Sequence, residues 1–218
     1  MHPVLYAHPF AAYCWKVLIA LYENHTAFTY RTLGTDPQAA IELEALWPLK
    51  KFPVLVDEGL PVIESSIIIE HLMLRRPGPV RLIPPDPGAA LEVRFLDRYF
   101  DNYIMTPMSK IVTNQIRPDD RRDPFGVQEA RATLDTAYGW LDRLMARRTW
   151  AAGEAFTLAD CAAAPSLFYA DWAHPIAEQF PHVRGYRARL LDRPSVARTV
   201  DEARPFRQFF PLGAPDRD

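Results

Sequence analysis

The chain has 218 residues, with 25 Lys plus Arg against 27 Asp plus Glu and a formal net charge of −2. A chain so close to neutrality has no electrostatic footprint for nucleic acid or for an anionic membrane surface. It contains no apolar stretch of the roughly 20 residues that a membrane-spanning helix needs, and its start lacks a signal-peptide pattern. These features predict a cytoplasmic protein of one or two domains without nucleic-acid or membrane partners.

The cysteines and histidines suggest neither a disulfide nor a metal site. Cys14 and Cys161 are the only two cysteines and lie far apart, and the six histidines show no ligand spacing. We therefore expect no metal cofactor.

The first 75 residues read as strand, helix, strand, helix, strand, strand and helix. An apolar strand at 4–6 precedes a helix at 14–24, in which Lys16 is the only clearly polar position. A half-buried strand at 28–32 and an exposed helix at 37–46 follow. A βαβ unit, a hairpin and a closing helix together predict a thioredoxin-like α/β domain over residues 1–75.

The hairpin occupies residues 54–63. Glu58-Gly59 separates two short apolar runs, and Pro61 restricts the second run to a sheet edge because proline cannot donate to a ladder. Glu64-Ser65-Ser66 then precedes an apolar helical run, so a helix N-terminus points at the end of the hairpin. Free amides and the positive end of the helix dipole make this position a candidate anion site.

Residues 76–88 are rich in proline and glycine and predict a linker. Every long segment of 89–218 has a helical pattern, with helices at 89–116, 127–147 and 158–171 and shorter ones from His182 and Pro194. The second domain is therefore predicted to be all α. Its first helix carries Phe95, Tyr99 and Tyr103 at spacing four beside a second apolar stripe, which indicates a surface facing a cleft or another subunit.

Thr157 and Asp160 have the spacing of a capping box, in which each side chain satisfies a free amide at the start of a helix. No histidine, lysine or nucleophile lies nearby in sequence to pair with Asp160. We therefore interpret this aspartate as structural rather than catalytic.

The segment Lys51-Phe52-Pro53, followed by the hairpin and Glu64-Ser65, resembles the glutathione-binding segment of the cytosolic glutathione transferases. The resemblance implies that Pro53 is cis and that the main chain of Phe52 pairs with the cysteinyl part of glutathione. It further implies that Glu64 and Ser65 hold the γ-glutamyl group and that Lys51 reaches the glycyl carboxylate. The Thr157/Asp160 pair is similar to a folding motif of the same family.

The resemblance is closest to the zeta-type, serine-dependent transferases, but the serine is missing. Ala11 occupies the catalytic serine position and Ala12 that of its serine neighbour. A bound thiol then depends on helix amides or on another donor, for which Tyr13 and His8 are candidates, whereas the resemblance aligns Tyr6 with a strand tyrosine that is not the partner of the thiol. For each of these three, a packing or loop role is the competing interpretation.

The sequence leaves two classes of function open. One is an enzyme of the detoxification type that activates glutathione for attack on a small hydrophobic electrophile held by Phe10, Tyr99 and Tyr103. The other is a glutathione-binding carrier in which Ala11 reports lost catalysis, and a glutathione-dependent isomerase or peroxidase also remains possible. The family resemblance implies a homodimer.

Overall fold

The computed structural model describes residues 2–218. Its first part contains β1 (Val4–Ala7), α1 (Ala12–Glu23), β2 (Thr29–Thr32), α2 (Pro37–Leu46), β3 (Val54–Asp57), β4 (Leu60–Ile63) and α3 (Ser65–Arg75). The strands form one sheet in the order β2-β1-β3-β4, with β1 parallel to β2 and the other pairs antiparallel. The predicted thioredoxin-like arrangement is confirmed.

The β3–β4 turn delivers the chain to the start of α3. Glu58 and Gly59 both have positive φ, 52° and 83°, as a tight hairpin turn with the twist of the strands requires. Pro61 lies opposite Val56 on the edge strand. Because Ser65 begins α3 two residues after β4 ends, the helix N-terminus is fixed beside the sheet edge.

Alternate residues of the sheet serve two separate cores. Leu5, Ala7 and Leu55 point to the large core that includes α1 and α3, whereas Tyr6 and Val54 point to a smaller one with α2. The large core continues without interruption into the helical part of the chain. The sheet is therefore packed, through this shared core, against the helical part of the chain.

The second part of the chain is helical, as predicted. It comprises α4 (Pro87–Tyr99), a π-helical segment (Phe100–Met105), α5 (Thr106–Gln115), α6 (Pro124–Met145), α7 (Leu158–Ala173), α8 (Pro181–Leu191), α9 (Pro194–Ala203) and a 3₁₀ segment (Arg204–Phe209). Helix α7 is buried along its whole length and packs against α1. Among residues 2–218, none of the helices combines the length and apolar character needed to cross a membrane.

The single helix predicted over 89–116 is instead divided by the π-helical segment. Pro107 has no N–H with which to continue the α-helical ladder. Just before it, the amide of Thr106 donates to the carbonyl of Asp101, five residues earlier. The wider turn rotates the side chains of α5 about the helix axis relative to those of α4, compared with a continuous α-helix.

Thr157 and Asp160 form a capping box at the start of α7. The Asp160 carboxylate accepts hydrogen bonds from the Thr157 amide at 2.8 Å, the Ala151 amide at 2.8 Å and the Tyr186 hydroxyl at 2.6 Å. Asp160 is completely buried. This side chain therefore joins three segments of the chain, rather than capping one helix alone.

Candidate functional site

A polar cavity of about 310 Å³ lies at the junction of the β3–β4 hairpin and the N-terminus of α3. The residues around it come from three short stretches of sequence. They are Tyr13, Lys51, Phe52, Pro53, Ile63, Glu64 and Ser65. The structure thus brings together all five residues that the sequence suggested for glutathione binding, together with the candidate donor Tyr13.

The backbone around this cavity offers unused hydrogen-bonding groups. The Phe52–Pro53 peptide is cis, and within the described residues neither the N–H nor the C=O of Phe52 has a backbone partner. Glu64 adopts a φ of 73°, an uncommon conformation for a residue other than glycine. Ser65 is the first residue of α3, so its amide has no acceptor within the helix.

The charged side chains at the cavity are available to a ligand. Lys51 and Glu64 are both exposed, and neither forms an ion pair with any residue in 2–218. The neighbouring Lys50 instead pairs with Glu44 at 2.8 Å. The lining therefore includes one cation and one anion that have no ion-pair partner among residues 2–218.

A second, apolar cavity of about 300 Å³ lies between the start of α1, α5, α7 and the 3₁₀ segment. Its wall includes Phe10, Met105, Met108, Tyr169 and Phe210. The ring of Tyr169 packs on those of Phe10 and Phe210, with centroids 5.4 and 6.2 Å away. Tyr13 lines both cavities, so they meet at the first turn of α1.

The first turn of α1 has no side-chain cap. Ala11 is the N-cap in extended conformation, and its carbonyl accepts from the amides of Cys14 and Trp15. In the described part of the chain the amides of Ala12 and Tyr13 have no such partner. These amides and the positive end of the helix dipole lie at the first turn of α1, whose residue Tyr13 lines both cavities.

Tyr13 is the one candidate hydroxyl that faces both cavities. Burial, with Asp101 nearby, raises the pKa of Tyr13 to about 12, so its hydroxyl stays protonated at neutral pH. Tyr6 instead donates to Glu42 at 2.8 Å. His8 accepts from the amide of Phe10 at 3.0 Å, and burial lowers its pKa, so it remains a neutral residue of the loop.

A buried cluster of charges lies behind the polar cavity. Lys16 is fully buried and contacts Asp97 at 2.5 Å and Asp101 at 2.9 Å. Arg98 also pairs with both carboxylates. The Ser66 hydroxyl donates to Asp97 at 2.7 Å and accepts from Lys16 at 2.9 Å. The cluster ties α1, α3 and α4 together through Ser66, the residue after Ser65.

Two family models match the chain: the glutathione S-transferase N-terminal domain over residues 5–80 and the glutathione S-transferase C-terminal domain over residues 124–189. A solved glutathione S-transferase of Methylobacterium radiotolerans, in complex with glutathione sulfonate, is 30% identical with a TM-score of 0.79. The alignment covers 92% of this chain and 95% of that one. The chain belongs to the glutathione S-transferase family.

Similar family members differ in their named activities. A probable maleylacetoacetate isomerase of Caenorhabditis elegans is 26% identical, and the alignment covers 88% of this chain and 90% of the relative. Glutathione S-transferase U25 of Arabidopsis thaliana is also 26% identical, with 90% and 87% covered. Transferase and isomerase chemistry are therefore both represented among its relatives.

The sequence suggested that Phe10, Tyr99 and Tyr103 form a single substrate site. In the structure, Tyr99 and Tyr103 lie in a different cavity from Phe10. The two tyrosines line a third cavity, of about 610 Å³, with Phe95 and Trp140. This cavity shares no residue with the one lined by Phe10. The helix presents the tyrosines toward α6, where the Tyr99 hydroxyl donates to the carbonyl of Ala137 at 2.7 Å.

Several residues of the apolar cavity were not found from the sequence. Met105, Met108, Tyr169 and Phe210 complete the apolar cavity from elements distant in sequence. Lys16 carried a usable signal, because one cation in an otherwise apolar helix needs a buried anionic partner. The sequence did not show which carboxylates those were.

Cys14 has no catalytic environment. It is fully buried, its sulfur accepts from the amide of His8 at 3.4 Å, and burial raises its pKa to about 12. A thiol that remains protonated at neutral pH is a poor nucleophile. Cys14 is a packing residue of the large core.

Proposed function

We propose that this protein binds glutathione in the polar cavity and presents its thiol, at the first turn of α1, to a small electrophile in the apolar cavity. The observation that carries the proposal is the meeting of a polar and an apolar cavity at Tyr13. One cavity suits a charged tripeptide and the other an apolar co-substrate. Their shared border is where sulfur and electrophile must meet.

Each part of glutathione has a matching group around the polar cavity. Glu64 pairs with the γ-glutamyl ammonium, while the Ser65 amide and hydroxyl donate to the γ-glutamyl carboxylate. The free N–H and C=O of Phe52 bond the cysteinyl main chain as an added strand. Lys51 pairs with the glycyl carboxylate. The unpaired state of Lys51 and Glu64 supports this assignment.

Activation of the thiol rests on weak donors. The free amides of Ala12 and Tyr13 and the helix dipole contribute about 0.3–1 kcal/mol toward the thiolate. The Tyr13 hydroxyl is a weak hydrogen-bond donor because its pKa is about 12. With an aryl chloride, the sulfur forms a bond to the ring carbon and chloride leaves with the C–Cl electron pair. The thiol proton passes to solvent.

The rate of conjugation with 1-chloro-2,4-dinitrobenzene, corrected for the uncatalysed rate, tests this proposal. We expect the native protein to accelerate the reaction modestly. Ala11→Ser should raise the rate about tenfold below the thiol pKa, because lowering that pKa by one unit raises the thiolate fraction tenfold. Ala12→Ser is the matched control and should give no comparable gain.

A second function is supported by Ala11 itself. A chain of this family with no hydroxyl at that position suits a non-catalytic glutathione-binding carrier. This function predicts normal glutathione binding with no acceleration above the uncatalysed rate. The same assay therefore separates the two. Because several relatives are named as isomerases, glutathione-dependent isomerisation is a further alternative if the protein is an enzyme.

We further propose a homodimeric, cytoplasmic protein that detoxifies such electrophiles. Phe95 and Tyr103 are about half exposed at the rim of the third cavity, as residues of an uncovered interface would be. Cys14 and Cys161 are both free, as is usual in a reducing compartment. In the proposed dimer, the second subunit covers Phe95 and Tyr103 and removes them from solvent.

A further inference from the structure

The apolar cavity has no charged lining. Among residues 2–218, none of the twelve that line it carries a formal charge. Two of its four hydroxyl groups are engaged in hydrogen bonds within the protein. The Tyr169 hydroxyl donates to the carbonyl of Phe10 at 2.9 Å, and that of Thr113 donates to the carbonyl of Ser109 at 2.6 Å. The Tyr13 and Ser109 hydroxyls remain for a ligand.

The basic residues on the surrounding elements are already paired. Lys16, on α1, contacts Asp97 and Asp101, and Lys110, on α5, pairs with Glu129 at 3.4 Å. Helix α7 contains no basic residue.

The same holds for the C-terminal wall and the loop before α1. Arg204 and Arg207, in the 3₁₀ segment, both pair with Asp218. Within the loop, His8 is held as an acceptor by the amide of Phe10, and burial lowers its pKa. On the elements that supply the lining, therefore, the lysines and arginines of the described residues are all paired with carboxylates.

From this charge distribution we infer that the electrophile site accepts neutral, apolar compounds and rejects those with a carboxylate. A carboxylate entering the cavity would lose its hydration without gaining a cation. The inference rests on the proposed function and narrows its substrate class. It separates this chain from its relatives named maleylacetoacetate isomerase, since the compound in that name is a dicarboxylate.

Two glutathione conjugates that differ in one group provide the test. One carries a 4-carbamoyl-2-nitrophenyl group on sulfur and the other a 4-carboxy-2-nitrophenyl group. Calorimetry at neutral pH gives their affinities and that of glutathione itself. We expect the carbamoyl conjugate to bind at least about tenfold more tightly than glutathione, and the carboxy conjugate no more tightly than glutathione.

A charge-bearing variant with a matched neutral control extends this test. Thr113 is exposed at the cavity rim. Thr113→Lys should improve binding of the carboxy conjugate about tenfold relative to Thr113→Gln, with little change for the carbamoyl conjugate. An unchanged affinity of the lysine variant for the carboxy conjugate would contradict the charge argument.

Equal binding of the two conjugates by the native protein would overturn the inference. It would also fail if neither conjugate bound more tightly than glutathione, because the aryl group would then lie outside the cavity. Binding of these conjugates requires no thiol activation. A protein that discriminates between them but leaves the thiol of glutathione unactivated would therefore fail the proposed function while keeping this specificity.

Discussion

At the scale of single residues, the glutathione site was largely accessible from sequence because its parts are local. Lys51, Phe52 and Pro53 are consecutive, and Glu64 and Ser65 follow after one hairpin whose turn residues are readable. The roles of these residues stay a prediction, although they surround one cavity. The apolar cavity was not predictable in the same way, since Met105, Tyr169 and Phe210 meet only through packing between distant helices.

Lys51 and Lys50 provide a direct comparison of neighbouring side chains. Lys51→Ala should weaken glutathione binding about threefold to tenfold, because an exposed charge-assisted contact to the glycyl carboxylate is lost. Lys50→Ala should leave the affinity unchanged, since Lys50 pairs with Glu44 instead. Calorimetric titration of both variants checks this. Equal effects of the two substitutions would remove the assignment of Lys51. The Lys51 effect should also shrink as salt is added.

At the scale of elements, the helix boundaries followed from proline and capping signals, whereas the π-helical segment did not. The pattern over 89–116 is apolar at helical spacing throughout, and only Pro107 hinted at an interruption. That interruption places Asp101 in the buried cluster and Met105 at the apolar cavity. A π-helical turn holds about one residue more than an α-helical turn. The apolar pattern of this segment fits an uninterrupted α-helix, so the extra residue could not be inferred from it.

The buried cluster should make Lys16 important for stability. Its partner Asp101 is 85 positions away in sequence, so the pair joins the two domains. Lys16→Met should lower the free energy of unfolding by about 3–5 kcal/mol, because it removes the buried cation and leaves the two buried carboxylates paired only with the exposed Arg98. Urea denaturation measures this. Lys110→Met removes an exposed pair and should cost less than about 1 kcal/mol. Similar losses in the two variants would contradict a buried ionic link.

Asp160 is worth more than a simple helix cap. From the sequence, its loss would cost about 1–2 kcal/mol. In the structure, removal of the carboxylate leaves three buried donors without an acceptor: the amides of Ala151 and Thr157 and the hydroxyl of Tyr186. We therefore expect Asp160→Ala to cost about 3 kcal/mol or more in urea denaturation.

Asp142 offers the matched control for this substitution. Its half-exposed carboxylate caps the start of α8 by accepting from the amides of His182 and Val183, at 2.8 and 3.1 Å. Asp142→Ala should cost about 1 kcal/mol. If the Asp160 variant were no less stable than the Asp142 variant, the claim that the buried Asp160 contacts stabilise the fold more than a helix cap does would be wrong.

At the scale of the whole molecule, fold class and family were predictable because thioredoxin-like order and the Glu64-Ser65 segment occur together. The domain boundaries at 1–75, 76–88 and 89–218 stay a prediction, although α3 ends at Arg75 and α4 begins at Pro87. Assembly was harder to predict. The aromatic stripe of Phe95, Tyr99 and Tyr103 fitted a substrate cleft or a subunit interface equally well until the structure separated it from Phe10.

We expect light scattering to give twice the chain mass at micromolar concentration. Tyr103→Glu should shift this mass toward the monomer, because it places a charge at the apolar rim of the third cavity. Phe125→Glu is the control, since Phe125 is 71% exposed but does not line that cavity. A native monomer, or equal dissociation by both variants, would reject this interface.

The central claim is that glutathione is bound with a weakly activated thiol, and ultraviolet titration of thiolate absorbance in the complex tests it most directly. A free cysteine-like thiol has a pKa of about 8.5. We predict that the native complex lowers the pKa of bound glutathione by less than about one unit, since only amides, the helix dipole and Tyr13 act on the sulfur. Ala11→Ser should lower it by about one unit more. A native complex already fully thiolate at pH 7, unchanged by Ala11→Ser, would contradict this account.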